Sequence, residues 1–159
     1  MSRSLGNQLP PPLLALLDGQ NLGDKTNFAL LLNTVDAGGH PHPAMLSVGE
    51  VLARGPSALR LALYPNSSTS KNLRRDGGLS IALAHGGLAY YVKATAREID
   101  GAAERLAGQA GFEAPIDEVL EDGDPSAQVT SGFTLSLTRQ PADTVAEWQQ
   151  RIGALAALP

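Results

Sequence analysis

Residues 59–64, Leu-Arg-Leu-Ala-Leu-Tyr, carry leucine at every second position, and residues 79–85, Leu-Ser-Ile-Ala-Leu-Ala-His, repeat the pattern with Leu79, Ile81 and Leu83. An extended chain turns successive side chains to opposite faces, so each stretch buries one face and offers the other to water. Both are expected to be half-buried strands. The apolar run 27–36 leads through Gly38 and Gly39, expected to supply positive φ angles, into a returning arm over 43–53. Gly86-Gly87 likewise joins 79–85 to a further strand at 88–98.

Helical spacing is confined to the margins. Leu13, Leu14, Leu16 and Leu17 follow three prolines and predict a short helix ending near Asp18-Gly19. Ala103, Leu106, Ala107 and Ala110 share one helical face, with Asp100 as cap and Gly111 as stop. A last helix starts at Pro141 and presents Val145, Trp148, Ile152 and Leu155, with Glu147 placed to pair with Arg151. Phe133, Leu135 and Leu137 predict a sixth strand at 132–138, and 121–128 reads as loop. Because strict β-α-β alternation is missing, these pieces predict a mainly β chain: an antiparallel barrel of about six strands with peripheral helices. At 159 residues it fits one domain over 1–159.

Composition removes several chemistries. Without cysteine there are no disulfides, thiolate metal sites or thiol nucleophiles. A net charge of −4 argues against a general nucleic-acid binder, which needs a basic face to displace counterions. No stretch reaches the roughly 20 apolar residues that span a bilayer, and the proline-broken start does not read as a secretory signal. The expectation is a cytoplasmic protein with no nucleic-acid or membrane partner.

Residues 64–83 hold the densest polar cluster. Ser67, Ser68, Thr69 and Ser70 crowd the predicted start of a helix, Thr69–Asp76, with Lys71, Arg74 and Arg75 close behind and Gly77-Gly78 closing it. A helix start leaves backbone N–H groups without partners and carries partial positive charge, so it suits a phosphate. The plainer alternative is one serine capping the helix while the cations stay solvated.

The order of these pieces resembles the FMN-binding split-barrel family typified by pyridoxamine 5'-phosphate oxidase. The likeness runs over about residues 10–100. Asp36, Gly39 and Pro41 match a family turn of the form Asp-x-x-Gly-x-Pro, and Ser67 and Asn72-Leu73 match Ser-x-Lys-x-x-Asn-Leu, with Thr69 standing where relatives carry lysine. The resemblance implies a split barrel binding FMN through Ser67, Ser68, Thr69, Ser70, Lys71 and Asn72. It also implies a flavin ring lying against Met45, Leu46, Ser47 and Val48. It further implies a homodimer with the cofactor at its interface, Tyr90, Tyr91 and Trp148 being candidates for contacts across it, and a flavin-dependent oxidoreductase acting on a small molecule. The rival is a non-catalytic split barrel, a flavin carrier, a sensor or a cofactor-free binding module. Relatives of this fold also use heme or deazaflavin.

Other chemistry is weakly supported. His40 and His42 sit two apart, as metal ligands can, but Glu50 is badly spaced for a third and the flanking prolines favour a turn, so no metal site is expected. His85 reads as a strand-end histidine. No G-x-S-x-G elbow or G-x-G-x-x-G loop is present. Asp117, Glu118, Glu121, Asp122 and Asp124 read as a solvated helix end and loop.

Overall fold

A computed structural model describes residues 1–159. Four strands precede residue 55: β1 (Ser2–Ser4), β2 (Ala29–Val35), β3 (Pro41–Ser47) and β4 (Val51–Ala53). Five follow: β5 (Ala58–Leu63), β6 (Gly78–His85), β7 (Leu88–Thr95), β8 (Arg97–Glu98) and β9 (Ala110–Asp122). They form one antiparallel sheet in the order β3-β2-β6-β7-β9-β5-β4, with β1 and β8 also paired to β9. The sheet curls into a split barrel. Helices α1 (Pro11–Leu17), α2 (Ser68–Asp76), α3 (Ala102–Arg105) and α4 (Pro141–Ala156) lie around it.

The expected alternation builds the core. Leu79, Ile81 and Leu83 face inward with Leu30 and Leu32 of β2 and Leu59 and Leu61 of β5, each buried side chain contributing about 1.5–3 kcal/mol. Pro11 opens α1, where its missing N–H costs nothing, and Leu13, Leu16 and Leu17 close one end of the barrel. Pro141 does the same for α4, which buries Trp148, Ile152 and Leu155. In the β2–β3 turn only Gly39 takes a positive φ, 85°. Gly38 does not, because Asp36 Oδ1 accepts hydrogen bonds from the N–H groups of Gly38 (2.8 Å) and His40 (2.9 Å) and shapes that half of the turn.

Several expectations are corrected. The arm 43–53 is two strands, β3 and β4, broken by a turn in which Glu50 bonds back to Ser47. Strand β5 is buried on both faces rather than half-buried, because α4 covers the face carrying Arg60. The expected strand at 132–138 is irregular chain with a single bridge, Phe28 to Thr134. The helix predicted over 100–111 lasts one turn before Ala107 adopts a φ of 51° and the chain enters β9.

That last strand was disguised by a bulge. Ala110, Phe112, Ala114 and Ile116 face the core, but Asp117 is left unpaired between the partners Ala94–Ile116 and Lys93–Glu118. One extra residue reverses the phase, so Val119 is the next to point inward. The acidic residues 117–122 therefore lie on a strand, not on a helix end. Glu118 pairs with Lys93 (2.8 Å), Glu121 with Arg3 (2.7 Å), and Asp117 accepts from Thr95 (2.8 Å). The pairing expected between Glu147 and Arg151 is also absent: Glu147 meets Arg139 (2.8 Å) and Arg151 turns to Gln109 (2.7 Å).

Candidate functional site

The start of α2 is fixed by its own serines. Ser67 is the N-cap, its Oγ accepting from Ser70 N–H (3.1 Å) and donating to the Tyr64 carbonyl (2.8 Å). Ser70, fully buried, donates its own hydroxyl to the same carbonyl (2.7 Å). Gly77 ends the helix at a φ of 76°, where a Cβ would stand 2.8 Å from the Ala96 carbonyl oxygen. Two of the four clustered hydroxyls are thus engaged in local structure. Thr69 is buried, and Ser68 and Lys71 are exposed.

What remains open is a compact set of donors. The N–H groups of Ser68 and Thr69 have no partner in the chain, the Ser68 hydroxyl is unspent, and Lys71 makes no ion pair. The two arginines are committed elsewhere. Arg74 grips Glu98 through two 2.6 Å bonds, and this hydrogen bonding lowers the Glu98 pKa below the usual glutamate value. Arg75 donates to the Val35 carbonyl, to Asn72 Oδ1 (3.2 Å) and to Asp76 (3.1 Å).

A buried relay ties this helix start to the sheet. Asn72 donates from Nδ2 to Thr34 Oγ1 (2.9 Å), and Thr34 donates in turn to the His42 carbonyl (3.4 Å). Asn72 and Thr34 are both buried and each buried polar atom has a partner, so the relay ties α2 to the β2–β3 hairpin. Asn72 acts from inside the fold; its side chain is not among the open donors.

Of the four expected ring-contact residues, Met45, Leu46 and Ser47 end β3 and Val48 begins the turn after it. Leu46 and Val48 point into the core, Ser47 is buried, and Met45 is 54% exposed. Strand β3 is an edge of the sheet, and Pro41 and Pro43 remove two N–H donors from it, which blunts strand addition. The turn after Ser47 is clamped from two sides. Glu50 Oε2 accepts from Ser47 N–H (2.7 Å) and Ser47 Oγ (2.9 Å), and Arg151 of α4 donates to the Gly49 carbonyl (3.3 Å). The Trp148 ring lies directly on Gly49. The roles of Arg151 and Gly49 were missed in the sequence because nothing local announces a contact made across a hundred residues.

Of the other aromatic candidates, Tyr90 and Trp148 are buried within their own chain, whereas Tyr91 is half-buried on the outer sheet face. There the register aligns Met45, Leu31, Ala82, Tyr91 and Leu120 in one cross-strand row. His40 and His42 lie at the start of β3, and Glu50 spends a carboxylate oxygen on Ser47.

Comparison with known proteins agrees with this architecture. The chain is 33% identical over 146 residues to the uncharacterized protein YclD of Bacillus subtilis, spanning 92% of this chain and 94% of that one. No family model matches it. Among solved structures it is similar to a candidate pyridoxamine 5'-phosphate oxidase of Lactobacillus delbrueckii, with a TM-score of 0.58 and 25% identity over 74% of this chain and 98% of that one. An FMN-binding protein of Syntrophomonas wolfei shares the fold at a TM-score of 0.51 and 16% identity, covering 69% of this chain and 88% of its own. The protein belongs to the pyridoxamine 5'-phosphate oxidase-like split-barrel family, together with YclD.

The open donors are of the types that bind a phosphate. A phosphate dianion takes N–H, O–H and ammonium donors, and the Ser68 and Thr69 amides, the Ser68 hydroxyl and Lys71 are such donors in the first turn of a helix, its positive end.

Proposed function

We propose that this protein binds FMN and serves as a cytoplasmic flavin-dependent oxidoreductase of a small molecule. The observation that carries the reading is the unspent donor set in the first turn of α2, in a chain whose fold family includes FMN-binding members. Ser68, Thr69 and Lys71 hold the phosphate; Ser67, Ser70 and Asn72 hold the helix that presents them. Met45 to Val48 form the wall for the ring, with Met45 supplying its open side chain. Bound FMN supplies hydride exchange at its ring, which is why no acid–base pair of the chain itself is called on. The chain's contribution is position and polarity.

We further propose that the active form is a homodimer. The half-exposed row Met45, Leu31, Ala82, Tyr91, Leu120 is an apolar strip across the outer sheet face, next to the wall at 45–48. A second copy would cover it. Light scattering tests this directly, and a monomer at micromolar concentration overturns it.

The test of cofactor binding is titration of the purified chain with FMN, followed by absorbance and by quenching of flavin fluorescence. Lys71→Ala should weaken FMN by about 1.5–3 kcal/mol, the range for a charge-assisted hydrogen bond. Reduction of the bound flavin by a nicotinamide cofactor then separates enzyme from carrier. The second reading, a cofactor-free binding module, is favoured by the engagement of Ser67, Ser70, Arg74 and Arg75 within the protein. A colourless protein whose melting temperature FMN does not move establishes it, since a hundredfold excess over Kd should add about 2.7 kcal/mol.

A further inference from the structure

A second concave site lies at the other end of β6, away from the α2 start. It is a pocket of about 220 Å³ between the start of β2, the β6–β7 turn and the irregular segment 129–134. Its floor is Ala29 and Ala84, and one wall is the ring pair Phe28–His85, whose centroids are 5.9 Å apart. The roof is pinned at both ends. Val129 N–H donates to the Gly87 carbonyl (3.0 Å) and Leu135 N–H to the Asn27 carbonyl (2.9 Å), while Gly132 packs so close to Ala84 that a Cβ would reach it at 3.3 Å.

Between those pins the polar groups have no partners in the chain. The N–H groups of Thr130, Ser131, Gly132 and Phe133 are unspent, as are the hydroxyls of Thr130 and Ser131, the Asn27 amide and both nitrogens of the half-buried His85. No carboxylate, lysine or arginine lines the pocket. The lining is therefore rich in donors yet without fixed charge, above an apolar floor. A cation finds no counter-charge there and a phosphate too little.

We propose that this pocket binds a one-ring aromatic or heteroaromatic molecule bearing a carbonyl group. The ring lies on the alanine floor against Phe28 and His85, and its oxygen accepts from the donors of the roof. The size fits: a cavity of about 150 Å³ accommodates benzene, so 220 Å³ leaves room for one substituent. Phe133, 63% exposed, forms part of the rim.

The test uses the full chain, labelled with ¹⁵N and titrated with nicotinamide, toluene serving as an apolar control, in the absence and presence of FMN. Saturable nicotinamide shifts at His85, Gly86, Ser131 and Gly132, with a Kd in the millimolar range for so small a ligand, are expected. They should vanish in Ala84→Leu, which fills the floor, and weaken about three- to tenfold in His85→Ala, which removes one hydrogen-bonding partner. Absence of shifts, shifts that survive Ala84→Leu, or toluene binding as tightly as nicotinamide overturns the proposal. Where Ala84→Leu loses the folded spectrum, His85→Ala decides, and unchanged affinity there overturns it. A parallel FMN titration of the same samples reports on the α2 start alone, so failure at one site is distinguishable from failure at the other.

Discussion

Gly49 carries the Trp148 ring directly on its backbone: a Cβ built there would stand 2.1 Å from the indole Cγ. The contact presses α4 onto the turn that follows Ser47, where Glu50 and Arg151 hold the same few residues. A methyl group cannot be absorbed by rotating a flexible tail, because the obstacle is the root of a buried ring. Gly49→Ala should cost about 1–3 kcal/mol in denaturant unfolding, the usual penalty of overpacking. Trp148 is the sole tryptophan, so its emission reports the displacement without ambiguity. Unaltered emission and midpoint would show that the ring has room to retreat.

Arg60 is 2% exposed on β5 and spends its guanidinium on the last residues of the chain. It donates to the carbonyls of Leu155 (2.7 Å), Leu158 (2.8 Å) and Pro159 (2.9 Å), and Nε pairs with Glu113. The guanidinium is surrounded by the Leu155 carbonyl in the last turn of α4, the Leu158 and Pro159 carbonyls just beyond it and the Glu113 carboxylate, which is how a buried cation is tolerated here. Arg60→Met keeps volume but takes the donor from the buried Leu158 carbonyl and the partner from the half-exposed Glu113, a loss of about 1–3 kcal/mol for the buried acceptor left unsatisfied. Hydrogen exchange should locate the loss: protection of 141–156 falls while that of β6 and β7 is retained. Uniform loss across the sheet would assign Arg60 to the core as a whole.

Legibility followed locality. The strands read at 59–64 and 79–85, the leucine face of α1, the α2 cap and the proline start of α4 were readable because each is specified by neighbours within one turn or one pleat. Strand β9 was hidden by the bulge at Asp117, which breaks the period just where the acidic residues begin. Phe133, Leu135 and Leu137 alternate like a strand, yet most of 132–138 finds no partner strand and the chain instead roofs the end of the sheet. At the candidate site the crowd of hydroxyls was visible, but its division of labour was not. Whether Ser67 and Ser70 face a ligand or the Tyr64 carbonyl depends on where that carbonyl lies, and that is a property of the folded chain.

Acid should loosen the link between α2 and β8. Glu98 has its pKa lowered chiefly by hydrogen bonding to Arg74, so its folded value lies below its unfolded value. The pair's contribution is complete above the ordinary glutamate range and is lost as pH falls through the lowered folded value. Both side chains are 36% exposed, which holds the effect to about 0.2–1 kcal/mol. Glu98→Gln should remove that share near neutral pH and leave acid stability unchanged, giving a flatter stability profile between the two. Equal loss in acid and at neutrality would mean that packing, not charge, makes the contribution.

Asn72 offers the cleanest separation of scaffold from ligand contact. Its amide joins Arg75 on one side to Thr34 on the other, and those two are tied in turn to the Val35 and His42 carbonyls of the β2–β3 hairpin. Asn72→Ala leaves Thr34 buried with a missing donor, a loss of about 1–3 kcal/mol in denaturant unfolding. If Asn72 positions the α2 start, the variant should also bind FMN more weakly, and Arg75→Lys, which keeps charge but not the forked geometry, should show the same defect in smaller measure. Lys71→Ala should do the reverse, weakening FMN while leaving the unfolding midpoint near the parent's, because its ammonium has no partner in the chain. A Lys71→Ala variant that lost stability, or an Asn72→Ala variant that bound FMN as tightly as the parent, would break the division drawn between residues that hold the helix and residues that hold the ligand.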